Sequence, residues 1–387
     1  MDILQGLLVH AAWYHYHWET YHTHHYMLLQ MASMVVGDLG LDRQESFSMQ
    51  HIPRDGKEPR QAKESTTQTA AGKRALLGCY YLCSKSSLFC RQLHMRHTSW
   101  IDQCAEYLTE RAEYPTDLKL KAYIDAQSRM SQSQLLFDEK RQRGDWQIPV
   151  DWDRVLKLTA QQREHTDSLL SSFEAHDWPL SLEVGAAPAL LLGQSLRRQS
   201  HVFKLQELNQ LEFMTTSAQQ TIDTFLKMPS ATALHLTSAA YATIWFCLLA
   251  ISKLSLLFRP HELLSMGMDR AKVHENGVAI IRKFETLSSK EGFWTSSKRV
   301  VGSMLAWLEK SSSDSQRPQT AEAGSAQHQD AGTVPSTEAV PENDGTMDVQ
   351  TQADDDIDFG VWDQMLDSFT WFGSGVDNHL NFGNFGL

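Results

Sequence analysis

Between Ser311 and Ala353 the chain reads SSSDSQRPQTAEAGSAQHQDAGTVPSTEAVPENDGTMDVQTQA, with almost no large apolar residue. Such a stretch cannot bury enough surface to offset the chain entropy lost on folding, so a disordered tether is expected there. That single feature divides the 387 residues into three parts. Residues 1–310 must supply any folded core, 311–353 form the linker, and 354–387 form a short terminal segment.

The body reads as helix after helix. Leu4, Leu8 and Ala11 share one stripe. Leu28, Met31, Ala32, Val35 and Leu39 make a second stripe, with Gly37 and Gly40 offering a stop. Residues 50–73 are polar and contain Pro53 and Pro59, which predicts an exposed loop. RALLGCYYLCSKSSLF is apolar over much of its circumference and is expected to be central. Further helices are predicted over 99–112, from Pro115 with Asp117 in its first turn, and over 153–175. More are predicted from Pro188 through the run ending LNQLEF, and over 218–228, 233–258, 271–289 and 297–310. No sustained period-two run with hairpin turns occurs, so the fold class is all-α. The most apolar run, residues 239–251, is short for a bilayer and is followed by Lys253. It reads as a buried core helix, with no membrane expected.

Charge is unevenly distributed. From Ser311 onward fourteen Asp and Glu face a single basic residue, Arg317, giving −13 of the total −12. The body, with 33 acidic and 34 basic residues, carries +1 and lacks the basic footprint of a chain that grips nucleic acid by its phosphates. Five cysteines form no disulfide framework, which points to a reducing compartment, and no signal peptide is evident.

The terminal segment alternates acidic and bulky aromatic residues. Phe359, Trp362, Leu366 and Phe369 fall at steps of three and four, on one face of a short helix, with Trp371 and Phe372 just beyond. Asp354, Asp355, Asp356 and Asp358 cluster at the positive end of that helix's dipole. Such a segment cannot bury its aromatics against itself and needs a groove on a partner. Its composition is that of a transcriptional activation segment, and these six apolar residues are the candidate coactivator-binding set. The alternative is a C-terminal helix that docks back on its own domain.

The sequence carries no recognisable catalytic or metal signature. The histidines His15, His17, His22, His24 and His25 include no pair four apart; His15 with His22, and His17 with His24, stand two turns apart, about 10 Å of rise, too far to share one ion. Cys79, Cys83 and Cys90 imitate half of a zinc cluster, but the first gap is one residue too long and the intervening residues are apolar, so buried helical cysteines are expected. No phosphate loop, nucleophile elbow or dinucleotide context is present, and the basic run Lys140, Arg141, Arg143 reads as an exposed helix end. No enzyme, no cofactor and no metal are expected.

Two blocks carry a resemblance. The first is DILQGLLVHAAWYHYHWETYHTHHYMLLQMASMVVGDLGLDR, closing on Asp38–Arg43. The second is KRALLGCYYLCSKSSLFCRQ from Lys73, followed by a helix and AEYPTD at Ala112–Asp117. Together they resemble the regulatory middle region of fungal binuclear zinc-cluster transcription factors, over roughly residues 1–310. The resemblance implies a helical regulatory region after a six-cysteine zinc cluster, and an acidic activation tail. No position here matches a zinc ligand, so direct DNA binding and the usual dimerisation after the cluster are not carried over.

The resulting expectation is a nuclear regulator of transcription, with a coactivator or mediator-type protein on the tail and a family homodimer or heterodimer as a further partner. Family members often control pathway genes such as secondary-metabolite clusters. Two other readings stand beside it: an all-α ligand-binding or enzymatic protein with an autoinhibitory tail, and a zinc-less partner that modulates a full-length relative.

Overall fold

The computed structural model describes residues 1–17, 25–44, 69–89, 95–142, 152–171, 177–190, 205–257, 268–287 and 292–314. Among these, all regular structure is helical and no strand occurs. In chain order the helices are α1 (Asp2–Ala12), α2 (His25–Asp38), α3 (Ala70–Phe89), α4 (Ser99–Arg111), α5 (Pro115–Gln142), α6 (Trp152–Ser171), α7 (Trp178–Gly185), α8 (Leu205–Lys227), the single turn α9 (Ser230–Ala233), α10 (Ser238–Leu257), α11 (Arg270–Leu287) and α12 (Phe293–Asp314). A 3-10 turn, Tyr14–His17, follows α1.

Helix ends follow local chemistry. Gly40 adopts φ 65°, and the Leu41 and Gly40 N–H groups close on the carbonyls of Val36 and Gly37, each at 3.0 Å. This is a Schellman stop for α2, and only a glycine takes that backbone without strain. α5 opens on Pro115, and the Asp117 carboxylate accepts from the Tyr114 N–H at 3.1 Å, tying down an end-of-helix donor. α7 opens on Asp177, whose side chain accepts from Leu180 N at 3.3 Å, with Pro179 in its first turn.

The helices bury two main cores. The first gathers α1 to α4 around α3, with Leu4, Leu29, Leu77, Tyr80 and Leu108 buried. The second gathers α7, α8, α10, α11 and α12 around α10, with Phe225, Tyr241, Trp245, Leu248 and Phe284 buried. α10 is apolar all round because it is surrounded: Ser238–Ser255 is long and apolar enough to cross a membrane by composition, yet 94% of it is buried in the fold. α11 lies against α12 at Gly277, where an added Cβ would stand 2.5 Å from a Leu305 methyl. The seam between the cores is made by α10 against α3 and α1, and by α5 and α7.

Several sequence expectations shift. In α2 the buried face is Leu29, Ala32 and Val36, while Met31 is 41% exposed. Apolar residues surround that helix, so its period alone does not choose the face. The polar loop ends before Ala70, where α3 begins. α7 is not marked by the sequence pattern, and α8 runs unbroken to Lys227 across the predicted gap at 214–217; residues 187–190, with Pro188, are helical as expected, and 191–204 fall outside the described residues. α12 extends to Asp314, four residues past the predicted end of the body at 310.

Candidate functional site

The aromatic set chosen from sequence, Phe359, Trp362, Leu366, Phe369, Trp371 and Phe372, lies outside the described residues, as do His22, His24 and Cys90. What the structure adds is a surface on the N-terminal helix. A groove of about 520 Å³ is lined by Gln5, Gly6, Val9, His10, Trp13 and Tyr16. With Leu4, Leu8 and Ala11 turned into the core, α1 and the 3-10 turn after it present a second stripe outward: Ile3 is 74% exposed, Val9 60% and Tyr16 53%. A Cβ on Gly6 would meet nothing within 4 Å, so the missing side chain leaves the groove open at its middle.

The two aromatic rings are held in place by their polar tips. The Trp13 indole N–H donates to the His235 carbonyl at 3.2 Å, and the Tyr16 hydroxyl donates to the Leu234 carbonyl at 2.6 Å. Both acceptors lie in the turn between α9 and α10, more than two hundred residues away in sequence. Anchored rings lose little further freedom on meeting a partner, and aromatic anchors of this kind carry most of the energy at protein interfaces. The signal in sequence is the spacing Ile3, Gly6, Val9, Trp13, Tyr16, at steps of three and four opposite the core stripe.

Below the groove, His15 is packed rather than poised. Its Nδ1 lies 3.0 Å from Ser238 Oγ, its N–H donates to the same oxygen at 3.1 Å, and rings of Tyr241, Phe293 and Trp294 surround it within 6 Å. His25, against Tyr14 and 3.4 Å from Ser86 Oγ, is held down to about 4, first by burial and then by His10. Among the described residues no group of three His, Cys, Asp or Glu stands together to hold an ion.

The polar chemistry of the interior lies at the seam. Lys85 Nζ of α3 sits 2.5 Å from Glu183 Oε1 of α7, both side chains at 2% exposure or less. Gln127 of α5 donates to the same Glu183 oxygen at 3.0 Å and accepts from Ser84, which also meets Ser131 at 3.1 Å. The Tyr81 phenol is pushed well above its ordinary range by burial, and then by Glu183. A buried charge pair whose carboxylate also accepts from Gln127 ties α3, α5 and α7 together and helps fix how they register. Cys79 and Cys83 face each other at 4.0 Å along α3, and burial pushes the Cys104 and Cys247 thiols up to about 12, away from the reactive thiolate.

The fold also joins the blocks that carried the resemblance. Arg74, early in α3, donates to Asp117 and Glu113 and lies 4.5 Å over the Tyr114 ring, so it clamps the AEYPTD turn. Trp100 of α4 donates at 2.9 Å to the Leu41 carbonyl within DLGLDR.

The chain is similar to the transcription factor opdL of Penicillium oxalicum, 26% identical over 310 residues, covering 75% of this chain and 51% of that protein. It is also similar to the transcription factor himD of Aspergillus japonicus, 24% identical over 278 residues, covering 67% of this chain and 44% of that protein. The chain thus spans about half the length of the curated relatives it matches. No family model matches it, and no solved structure does. The similarity supports a place among fungal transcription factors.

Proposed function

We propose that this chain is a nuclear regulator of transcription, specific to a pathway, with a secondary-metabolite gene cluster as the kind of target the resemblance implies. The helical body supplies regulatory contacts, and the segment from Asp354 recruits a coactivator or mediator-type protein through Phe359, Trp362, Leu366 and Phe369. The observation that carries this reading is the match of 75% of the chain to one protein named as a transcription factor and of 67% to another. Among the described residues, the interior suits a non-enzymatic role: the Lys85–Glu183 pair is sealed from solvent, and burial holds the Cys104 and Cys247 thiols protonated.

The test is a reporter assay. Residues 354–387 fused to an unrelated DNA-binding module should raise transcription, because buried aromatic area drives the contact, with about 1.5–3 kcal/mol available per large side chain before ordering costs. Replacing Phe359, Trp362, Leu366 and Phe369 by Ala should abolish activation. Single Asp→Asn changes should only weaken it, since the carboxylates steer the encounter. A silent wild-type fusion would refute the activator reading.

A further inference from the structure

We propose that the outward stripe of α1 docks a second copy of this chain, the two helices lying antiparallel about a two-fold axis that passes between Val9 and His10. The inference concerns the helical body alone and does not depend on the activation segment.

Three observations select this occupant. The first is the spacing along the helix. About such an axis Gly6 of each copy faces Trp13 of the other, Val9 faces His10, and Ile3 faces Tyr16. The stripe thereby carries its own complement. Trp13 keeps 36% of its surface exposed, and a Cβ on Gly6 would meet nothing within 4 Å, so the ring of one copy has room over the bare backbone of the other. A ridge set into a groove is how packed helices fit, and a two-fold contact makes that fit twice.

The second observation is charge. The described residues that line the groove are Gln5, Gly6, Val9, His10, Trp13 and Tyr16, none of them acidic, lysine or arginine. A partner that docks by ion pairing finds no counter-charge there, whereas an identical face meets no like charge. The third is preorganisation. The Trp13 and Tyr16 tips are tied to the His235 and Leu234 carbonyls, so both rings already stand as they would in the contact.

Size sets the strength. From Ile3 to Tyr16 the stripe is about 20 Å long, on a helix roughly 10 Å across. Two such faces bury less than about 1,200 Å² in total, the class of weak and reversible contacts, so a dissociation constant on the order of 10 µM is expected. Each copy carries −12 and the contact holds no ion pair, so copies repel at long range and added salt should tighten the dimer.

The test is sedimentation velocity on the full chain, over concentrations that span that constant, beside Gly6→Glu. The new carboxylate stands in open space on α1 and touches no core residue, so the melting temperature of dilute protein should not fall. The wild-type chain should pass from monomer to dimer within the range. Gly6→Glu should associate about tenfold more weakly or worse, because it sets a like charge twice into an apolar seam. Val9→Cys, beside the axis, should be joined into a dimer by a short bismaleimide, while Met34→Cys, 64% exposed on α2, should stay at the wild-type background. A wild-type chain that remains monomeric would overturn the proposal, and so would a dimer loosened by salt. Equal association of wild type and Gly6→Glu would move the contact to another surface and sink it as well. Weakened association in Gly6→Glu without cross-linking of Val9→Cys would refute the antiparallel pairing. Slow hydrogen exchange over residues 2–16 that ignores protein concentration would overturn it in favour of an occupant within the same chain.

Discussion

Arg74 closes on both carboxylate oxygens of Asp117, Nε at 2.8 Å and Nη2 at 2.7 Å, across forty-three residues of chain. The same carboxylate caps the first turn of α5 through Tyr114 N–H, so one buried side chain stops a turn, starts a helix and ties α3 to both. Bidentate geometry and burial on the carboxylate side make this pair stronger than an exposed bridge.

Removing the guanidinium leaves Asp117 buried and half satisfied. Arg74→Ala is expected to cost about 1.5–3 kcal/mol, read as a drop in the denaturation midpoint. Arg74 also holds the Asp117 carboxyl below its ordinary range. A depressed carboxylate contributes stability that is complete above the unfolded value, near 3.9, and fades as pH falls through the folded one. The acid limb of the stability curve should therefore flatten in Arg74→Ala. An unchanged limb would show that the pair does not act as described.

His25 carries a pH dependence in a different window. Its neutral ring is favoured in the fold, at about 4 against an ordinary 6.5. The unfolded chain therefore binds the extra proton first, and stability falls as pH drops from about 6.5 to about 4, by up to roughly 3 kcal/mol. Denaturant titrations at several pH values should show this slope, and His25→Gln should remove most of it.

The Lys85–Glu183 pair predicts asymmetric costs. Lys85→Met leaves Glu183 buried without its cation and should lose about 3–5 kcal/mol, whereas Lys85→Met with Glu183→Leu should recover a large part of that loss. A double-mutant cycle on chemical denaturation measures it. Additive losses would mean the two side chains act independently.

Duplex DNA should not be bound selectively by residues 1–387. A body of +1 beside a tail of −13 gives phosphates little to hold. Fluorescence anisotropy at moderate salt decides this, and saturable, sequence-selective binding by the purified chain would contradict it.

The amino-acid sequence alone determined the helical class, the central placement of α3, the burial of α10 and the glycine stop of α2. Each of these is local: an apolar period, an all-round apolar run, a residue free to take positive φ. It also showed that Asp117 would sit in the first turn of α5, but not that Arg74 would answer it. The buried face of α2 was misjudged because apolar residues ring that helix, and only its neighbours α1 and α3 decide which ones are covered. The spacing of the outward stripe of α1 is legible in the sequence, but its exposure is not, for a related reason. Whether Val9, Trp13 and Tyr16 meet solvent or core depends on where α10 and its preceding turn lie, more than two hundred residues away. Periodicity records that a face is apolar; only packing between distant segments determines whether that face is already filled.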